Sequence, residues 1–283
     1  MIKKPIILQM DNMESQIIHK PVMIKEVLSF IPENSNIVVD ATLGEGGHTK
    51  AMLDLNLEVH SFERDIKRLS ELSNGEVNII HLMGGEPLLN PNIKRFFEIA
   101  RKYFDKTEIK LITNGILLLK QDNSFWQSMK DNKITLAPTK YPIKIDWDKI
   151  KEICKDMNIK LNFFNGEDIV KTSFYSPLNL EGTENPEWNF RNCFLANNCL
   201  ILENGRLYTC SYIPNIRHFN KFFNKNIPVS VNDYINIHKA RNYQEVLQFL
   251  AKPIPFCKYC DVKNNEGRNS FENFKKRYWG VFE

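Results

Sequence analysis

Three groups of residues in this chain have the types and spacing to do chemistry. The first is Gly84-Gly85-Glu86-Pro87, which follows a short apolar run at 77–83 that reads as a buried strand. A glycine pair at the carboxyl end of a strand frees backbone groups to meet a ligand, and open α/β sheets bind their ligands there. Glu86 adds a carboxylate suited to an amine. The second group is Asp40-Ala41-Thr42-Leu43-Gly44-Glu45-Gly46-Gly47-His48, a glycine-rich loop between a strand at 36–40 and a helix at 49–55. A further strand at 58–62 ends in Glu63. In such a β-α-β unit the glycine turn admits close approach by a nucleoside ligand. An acidic residue about twenty positions on is placed for ribose hydroxyls. The third group is Cys193, Cys199, Cys210 and the pair Cys257-x-x-Cys260. Clustered cysteines in a reducing compartment point to metal or cluster ligation rather than to disulfides.

The elements that must position these groups follow from the apolar pattern. Helix 22–30 stops before Pro32. Helix 66–73 is closed by Asn74-Gly75, residue types that tolerate a left-handed backbone. After the Gly84–Pro87 turn, Asn90 caps a helix with Pro91 in its first position. Its apolar face is Ile93, Phe96, Phe97, Ala100 and Phe104. Strands follow at 108–113, 133–136 and 159–164. Helices are expected at 124–131 and after a cap at Asp146 or Asp148. The second of these carries Ile150, Ile153, Cys154 and Met157 on one face, so Cys154 is a core residue rather than a functional thiol. Residues 200–209 read as a hairpin turning at Asn204-Gly205, which can bring Cys193 or Cys199 near Cys210. A last helix at 270–279 packs through Phe271, Phe274 and Tyr278. Strands alternating with helices predict an α/β fold of parallel β/α units, in a partial-barrel or Rossmann-like sheet, with a small Cys-rich carboxy-terminal extension.

Composition narrows the class. Hydrophobic residues make up 42% and charged residues 25%, an ordinary soluble balance. No apolar run approaches the ~20 residues that span a bilayer. The first eight residues are too soon interrupted for a signal peptide, so a cytoplasmic protein with no membrane partner is expected. The net charge of +4 is uneven: residues 1–65 carry −4 and the rest carries +8. That asymmetry suggests two pieces of different origin, and the excess reads as a solvated basic face.

Two family resemblances match this division. The string His19-Lys20-Pro21-Val22, then Asp40 to His48, then Glu63-Arg64-Asp65 resembles the amino terminus of the ribosomal RNA small-subunit methyltransferase H (MraW) family. Those enzymes methylate N4 of a cytosine with S-adenosyl-L-methionine (SAM). The resemblance implies that the loop of Gly44, Gly46, Gly47 and His48 holds the methionine part of SAM and that Glu63 reaches the ribose. Glu63 stands where most of the family has Asp. It also implies ribosomal RNA as a partner by descent. No RNA-binding part, further catalytic part or general base of that family is recognisable downstream of Asp65, so the catalytic residues are left unassigned.

From 77 to 279 the chain resembles the radical SAM superfamily, through Gly84-Gly85-Glu86-Pro87 and Leu111-Ile112-Thr113-Asn114-Gly115. That resemblance implies that Gly84, Gly85 and Glu86 hold the SAM amino group, and that the parent acted on a peptide or small molecule. The late cysteines resemble a SPASM or twitch extension. It implies an auxiliary 4Fe–4S cluster on Cys193, Cys210, Cys257 and Cys260, with Cys199 as a replacement; four thiolates also suit zinc. The Cys-x3-Cys-x2-Cys loop of radical SAM enzymes is missing, because no cysteine precedes Cys154. Reductive SAM cleavage is therefore not expected. The sequence predicts a SAM-binding hybrid of three pieces, 1–65, 66–190 and 191–283, impaired in both chemistries. A non-enzymatic iron–sulfur or zinc module is the alternative.

Overall fold

The computed structural model describes residues 2–3, 59–164, 166–168, 170–171, 177–196 and 198–264. The expected helices at 22–30, 49–55 and 270–279, the strand at 36–40 and the loop Gly44–His48 lie outside the described residues. The chain divides into two compact units, residues 1–172 with 202–205, and residues 173–201 with 206–283.

In the first unit, β1 (Ile2–Lys3), β2 (Ile79–Met83), β3 (Glu108–Thr113), β4 (Ile134–Pro138) and β5 (Ile201–Glu203) make a parallel sheet in the order β4-β3-β2-β1-β5. The helices are α1 (Val59–Ser73), α2 (Ile93–Tyr103), α3 (Asn123–Asp131) and α4 (Trp147–Asp156). The predicted β/α alternation is present, with β3 at the predicted bounds and β2 two residues shorter than its apolar run. Residues 159–164 continue the sheet through backbone bonds, Leu136 N to Lys160 O at 2.9 Å and Asn162 N to Leu136 O at 2.9 Å. Strand side chains alternate between faces. Ile80, Leu82, Ile109 and Leu111 are buried on one of them. His81, Lys110 and Thr135 stand in register on the other, where Phe164 meets the His81 ring edge-on at 5.5 Å.

Two local expectations are corrected. Residues 59–62 were expected to end a strand, but they form the first turn of α1, which runs unbroken to Ser73. Phe62, Ile66, Leu69 and Leu72 recur at helical spacing; Phe62 and Ile66 are fully buried, and Phe62 packs on Phe96 at 4.9 Å. Burying one such ring is worth about 2 kcal/mol. That gain needs Ile66 and Leu72 beside it, which only a helix provides. Asn74 and Gly75 then close α1 at φ 52° and 73°, as their types suggested. The second correction concerns the cap of α2, which sits at Asn92 rather than Asn90. Asn90 instead closes a short 3-10 turn, Pro87–Leu89, and its Oδ1 accepts from Asn92 N at 2.8 Å. Asp146 caps α4 as expected, and Cys154 is buried in the core, its thiol pushed up to about 11 by burial.

Arg101 ties this unit together. Its guanidinium donates to Asn132 O at 2.8 Å, Phe104 O at 2.9 Å, Asp105 O at 2.8 Å, Thr107 O at 3.0 Å and Lys133 O at 3.1 Å. One side chain thus joins the end of α2 to the turn between α3 and β4.

The second unit holds α5 (Pro186–Asn192), β6 (Arg206–Tyr208), α6 (Tyr212–Phe223), β7 (Tyr234–Asn236) and α7 (Tyr243–Leu250). β6 and β7 pair antiparallel, with Tyr208 opposite Tyr234. The predicted turn is present: Asn204 and Gly205 both take a left-handed backbone, at φ 51° and 70°. No helix among the described residues is long and apolar enough to cross a membrane.

Candidate cofactor loops and a four-cysteine cavity

Glu86 lies at the carboxyl end of β2, but it does not face outward. It is 5% exposed. Its Oε1 accepts from Leu88 N at 3.1 Å and Thr113 Oγ1 at 2.6 Å, and its Oε2 from Asn114 N at 2.8 Å. Burial pushes its pKa up while these three bonds pull it down. The carboxylate offered to an amine is thus already satisfied by the loop after β3. Glu86 braces the loops after β2 and β3 against each other, and half-exposed Gly84 and exposed Gly85 flank it. The second loop is shaped by Gly115, at φ 84°. A Cβ there would lie 2.5 Å from Trp147 Cη2, so the indole occupies the space a side chain would need.

Glu63 is on α1, not at a strand end. Its Oε1 accepts from Lys102 Nζ at 2.7 Å and Tyr103 OH at 3.0 Å, and the Lys102 bond leads in holding its pKa down. The strand-end position that a ribose contact requires is not the one it has. Its neighbour Asp65, 3% exposed, accepts from Gly205 N at 2.7 Å and pairs with Arg64. Gly44, Gly46, Gly47 and His48 lie outside the described residues.

The second unit brings the four candidate ligands together. Cys193, Cys210, Cys257 and Cys260 line one cavity of about 20 Å³, with Asn189 and apolar neighbours that include Leu195, Ile254 and Phe256. Cys199 is outside this lining. Each element has a local reason. Asn185 caps α5 by accepting from Glu187 N and Trp188 N, both at 3.0 Å, and Pro186 takes the first helical position. Cys210 precedes α6, whose first amides, Tyr212 and Ile213, donate to its sulfur. Leu195 N donates to Cys193 Sγ at 3.3 Å. The Cys257 turn is a 3-10 segment, Pro255–Tyr259, pinned by buried Asp233, which accepts from Phe256 N at 2.7 Å.

Amides aimed at sulfur favour the thiolate, the form that binds metal. Burial acts the other way: it pushes Cys210 up to about 12, Cys257 up to about 11 and Cys260 upward as well. For these three cysteines burial favours the thiol over the thiolate. Among the described residues no three His, Cys, Asp or Glu side chains stand at the spacing that holds a metal ion, so the four thiols share a cavity without converging on one point. Four thiols are the donor type that a soft metal takes, although they do not stand at its spacing. A cavity of 20 Å³ has room for about one water-sized body. A single ion fits that room, whereas a four-iron cluster requires the loops to part.

Asn189 was not foreseen. It is 1% exposed, and its Nδ2 donates to Cys257 O at 2.8 Å and Cys260 O at 2.6 Å. Its Oδ1 is buried with no hydrogen-bond partner. An orphan of that kind costs about 1–3 kcal/mol. No sequence signal separated it from the other asparagines of this Asn-rich chain.

Residues 16–114 match the model of the MraW methylase family. The amino-terminal part of the chain is similar to that family. It is 82% identical over 55 residues to ribosomal RNA small subunit methyltransferase H of Brachyspira hyodysenteriae, covering 19% of this chain and 18% of that protein. It is 38% identical over 84 residues to the protein of the same name from Novosphingobium aromaticivorans, covering 29% and 24%. The chain thus spans less than a quarter of the length of these relatives. The family match continues beyond Asp65, where the sequence resemblance stopped, through α1, β2 and β3 to Asn114. These matches carry the methyltransferase part of the expectation. The radical SAM part rests on Gly84–Pro87, Leu111–Gly115 and the cysteine pattern, and Gly84–Pro87 lies inside the MraW match.

Proposed function

We propose that the chain is a SAM-binding hybrid. Its amino-terminal part derives from a ribosomal RNA (cytosine-N4) methyltransferase, and methyl transfer to RNA is impaired. The observation that carries this is the 82% identity over 55 residues combined with coverage of only 18% of that relative. Gly44, Gly46, Gly47 and His48 fall within the family match and would hold the methionine part of SAM. The ribose role of Glu63 is weakened by its bonds to Lys102 and Tyr103. Titration calorimetry of SAM into the full chain tests the reading. Gly46→Val with Gly47→Val should abolish binding, and unchanged affinity would refute the site. Wild-type protein that binds no SAM would refute the hybrid as a SAM protein.

A second reading is favoured by the cavity lined by four cysteines. There the chain holds a metal on Cys193, Cys210, Cys257 and Cys260. The resemblance to SPASM extensions implies a 4Fe–4S cluster; zinc is the alternative. About four irons per anaerobically prepared chain support the cluster. About one zinc supports a single-ion site. Neither metal reduces the cavity to buried thiols.

A further inference from the structure

The chain carries 34 acidic residues, yet none falls between Glu203 and Asp233. Four basic residues do: Arg206, Arg217, Lys221 and Lys225. Asp233 itself is buried, its carboxylate held by Ser230 and by Phe256 N. The middle of this stretch is α6, whose inner face buries Ile213, Pro214 and Ile216. On its outer face Arg217 and Lys221 stand one turn apart, with His218 and Phe222 one turn apart beside them; all four are exposed. Phe222 is 82% exposed and Phe223 54%. Phe223 meets Phe219 at 4.7 Å and Phe222 at 4.8 Å, so the rings form one cluster. The helix stops at Asn224, in a left-handed backbone at φ 49°. The Asn220 amide then clasps both backbone groups of Ile227, at 2.8 and 3.0 Å. Exposed Lys225 lies in the turn that this clasp closes.

A solvated basic face explains the lysines but not the rings. From this juxtaposition we infer that the outer face of α6 binds single-stranded nucleic acid. Arg217, Lys221 and Lys225 take its phosphates, and its bases stack on Phe222 and Phe223. The partner is anionic, because this stretch sets basic side chains toward solvent and buries its nearest following carboxylate. It also carries flat apolar groups to lie against the rings, and a strand with unpaired bases presents both along its length. A bilayer surface has the charge, but it needs a helix with a wide apolar face to enter it. The apolar face of α6 is buried in the fold, which leaves two rings for lipid. The inference depends on neither SAM nor metal, and its residues lie outside the stretch 16–114.

The test is fluorescence anisotropy of a labelled oligouridylate of about 12 nucleotides, titrated with the full chain at several salt concentrations. Three phosphate contacts give a slope of log affinity against log salt of about −2. Phe222→Ala should weaken binding about 5–100-fold at unchanged slope, and Phe222→Tyr should restore it. Lys221→Gln should make the slope shallower by about 0.7. Both positions are exposed, so the variants should melt with wild type; Lys221→Gln carries the test if Phe222→Ala does not fold. Wild type that binds no oligouridylate overturns the inference. So does a folded Phe222→Ala that binds as wild type does, since charge alone would then hold the strand. Binding to phosphatidylserine vesicles without binding to the oligonucleotide would assign the face to lipid and overturn it too.

Discussion

His81 gives the sharpest test of the sheet. It sits on β2 in register with Lys110, with the Phe164 ring against its edge. Burial is the main reason its pKa falls to about 4 from 6.5; Lys110 pushes the same way and Glu108 opposes. Lys110 is itself tied to Glu108 at 3.3 Å, so the nearby charges are fixed. A base whose folded pKa lies below its unfolded value stabilises the fold above pH 6.5. That contribution is lost as pH falls toward 4, because the unfolded chain takes up the proton first. A gap of about 2.5 pKa units is worth about 3 kcal/mol in full, and about 2.5 kcal/mol of it is gone by pH 4.5. Urea unfolding followed by circular dichroism at pH 7.5 and 4.5 measures it, for wild type and for His81→Leu. Carboxylates titrate in both proteins, so the difference isolates the histidine. Wild type should lose about 2.5 kcal/mol more than the variant between these pH values. Losses equal within about 0.5 kcal/mol would mean that His81 is solvated and that the packing at Phe164 is wrong.

Other perturbations separate the remaining claims. Arg101→Ala strips five carbonyls of their donor and should cost about 2–4 kcal/mol in urea unfolding; Arg101→Lys should not restore it, since one ammonium cannot span five acceptors. Gly115→Ala combines a left-handed backbone with a collision against Trp147 and should cost about 2 kcal/mol or more, read as a drop in melting temperature and a change in Trp147 fluorescence. Metal uptake by the cysteine cavity should weaken steeply from pH 8.5 to 6.5, because burial raises the thiols of Cys210, Cys257 and Cys260 and each must lose its proton. Chelator competition across that range checks it, and a flat profile would mean these thiols are not the ligands.

How much of this was legible depends on where the deciding partner lies. β3, α4 and the Asn204-Gly205 turn were readable because their signals are local: an apolar run, a capping aspartate, a left-handed pair. The brace at Glu86 was half readable. Glycine spacing marked the loop, but the donors that satisfy the carboxylate come from 27 and 28 residues on. Asn189 was not readable, because its meaning comes from carbonyls 68 and 71 residues away. That Cys193, Cys210, Cys257 and Cys260 line one cavity follows from contacts across the second unit, while thiol spacing alone left the fourth member open.

The helix α1 shows why a segment similar to another family's sequence need not take the shape expected from that similarity. Residues 59–65 lie inside the methyltransferase match, and there they were expected to end a strand beside the cofactor. Their neighbours decide otherwise. Ile66, Leu69 and Leu72 follow Phe62 at spacings of four, three and three, and a strand would send half of them to solvent. Once α1 is a helix, Glu63 faces Lys102 and Asp65 faces Gly205, so both acids take contacts within the fold. The sheet reinforces this. β1 lies between β2 and β5, so it belongs to the same parallel sheet as the strands that follow α1.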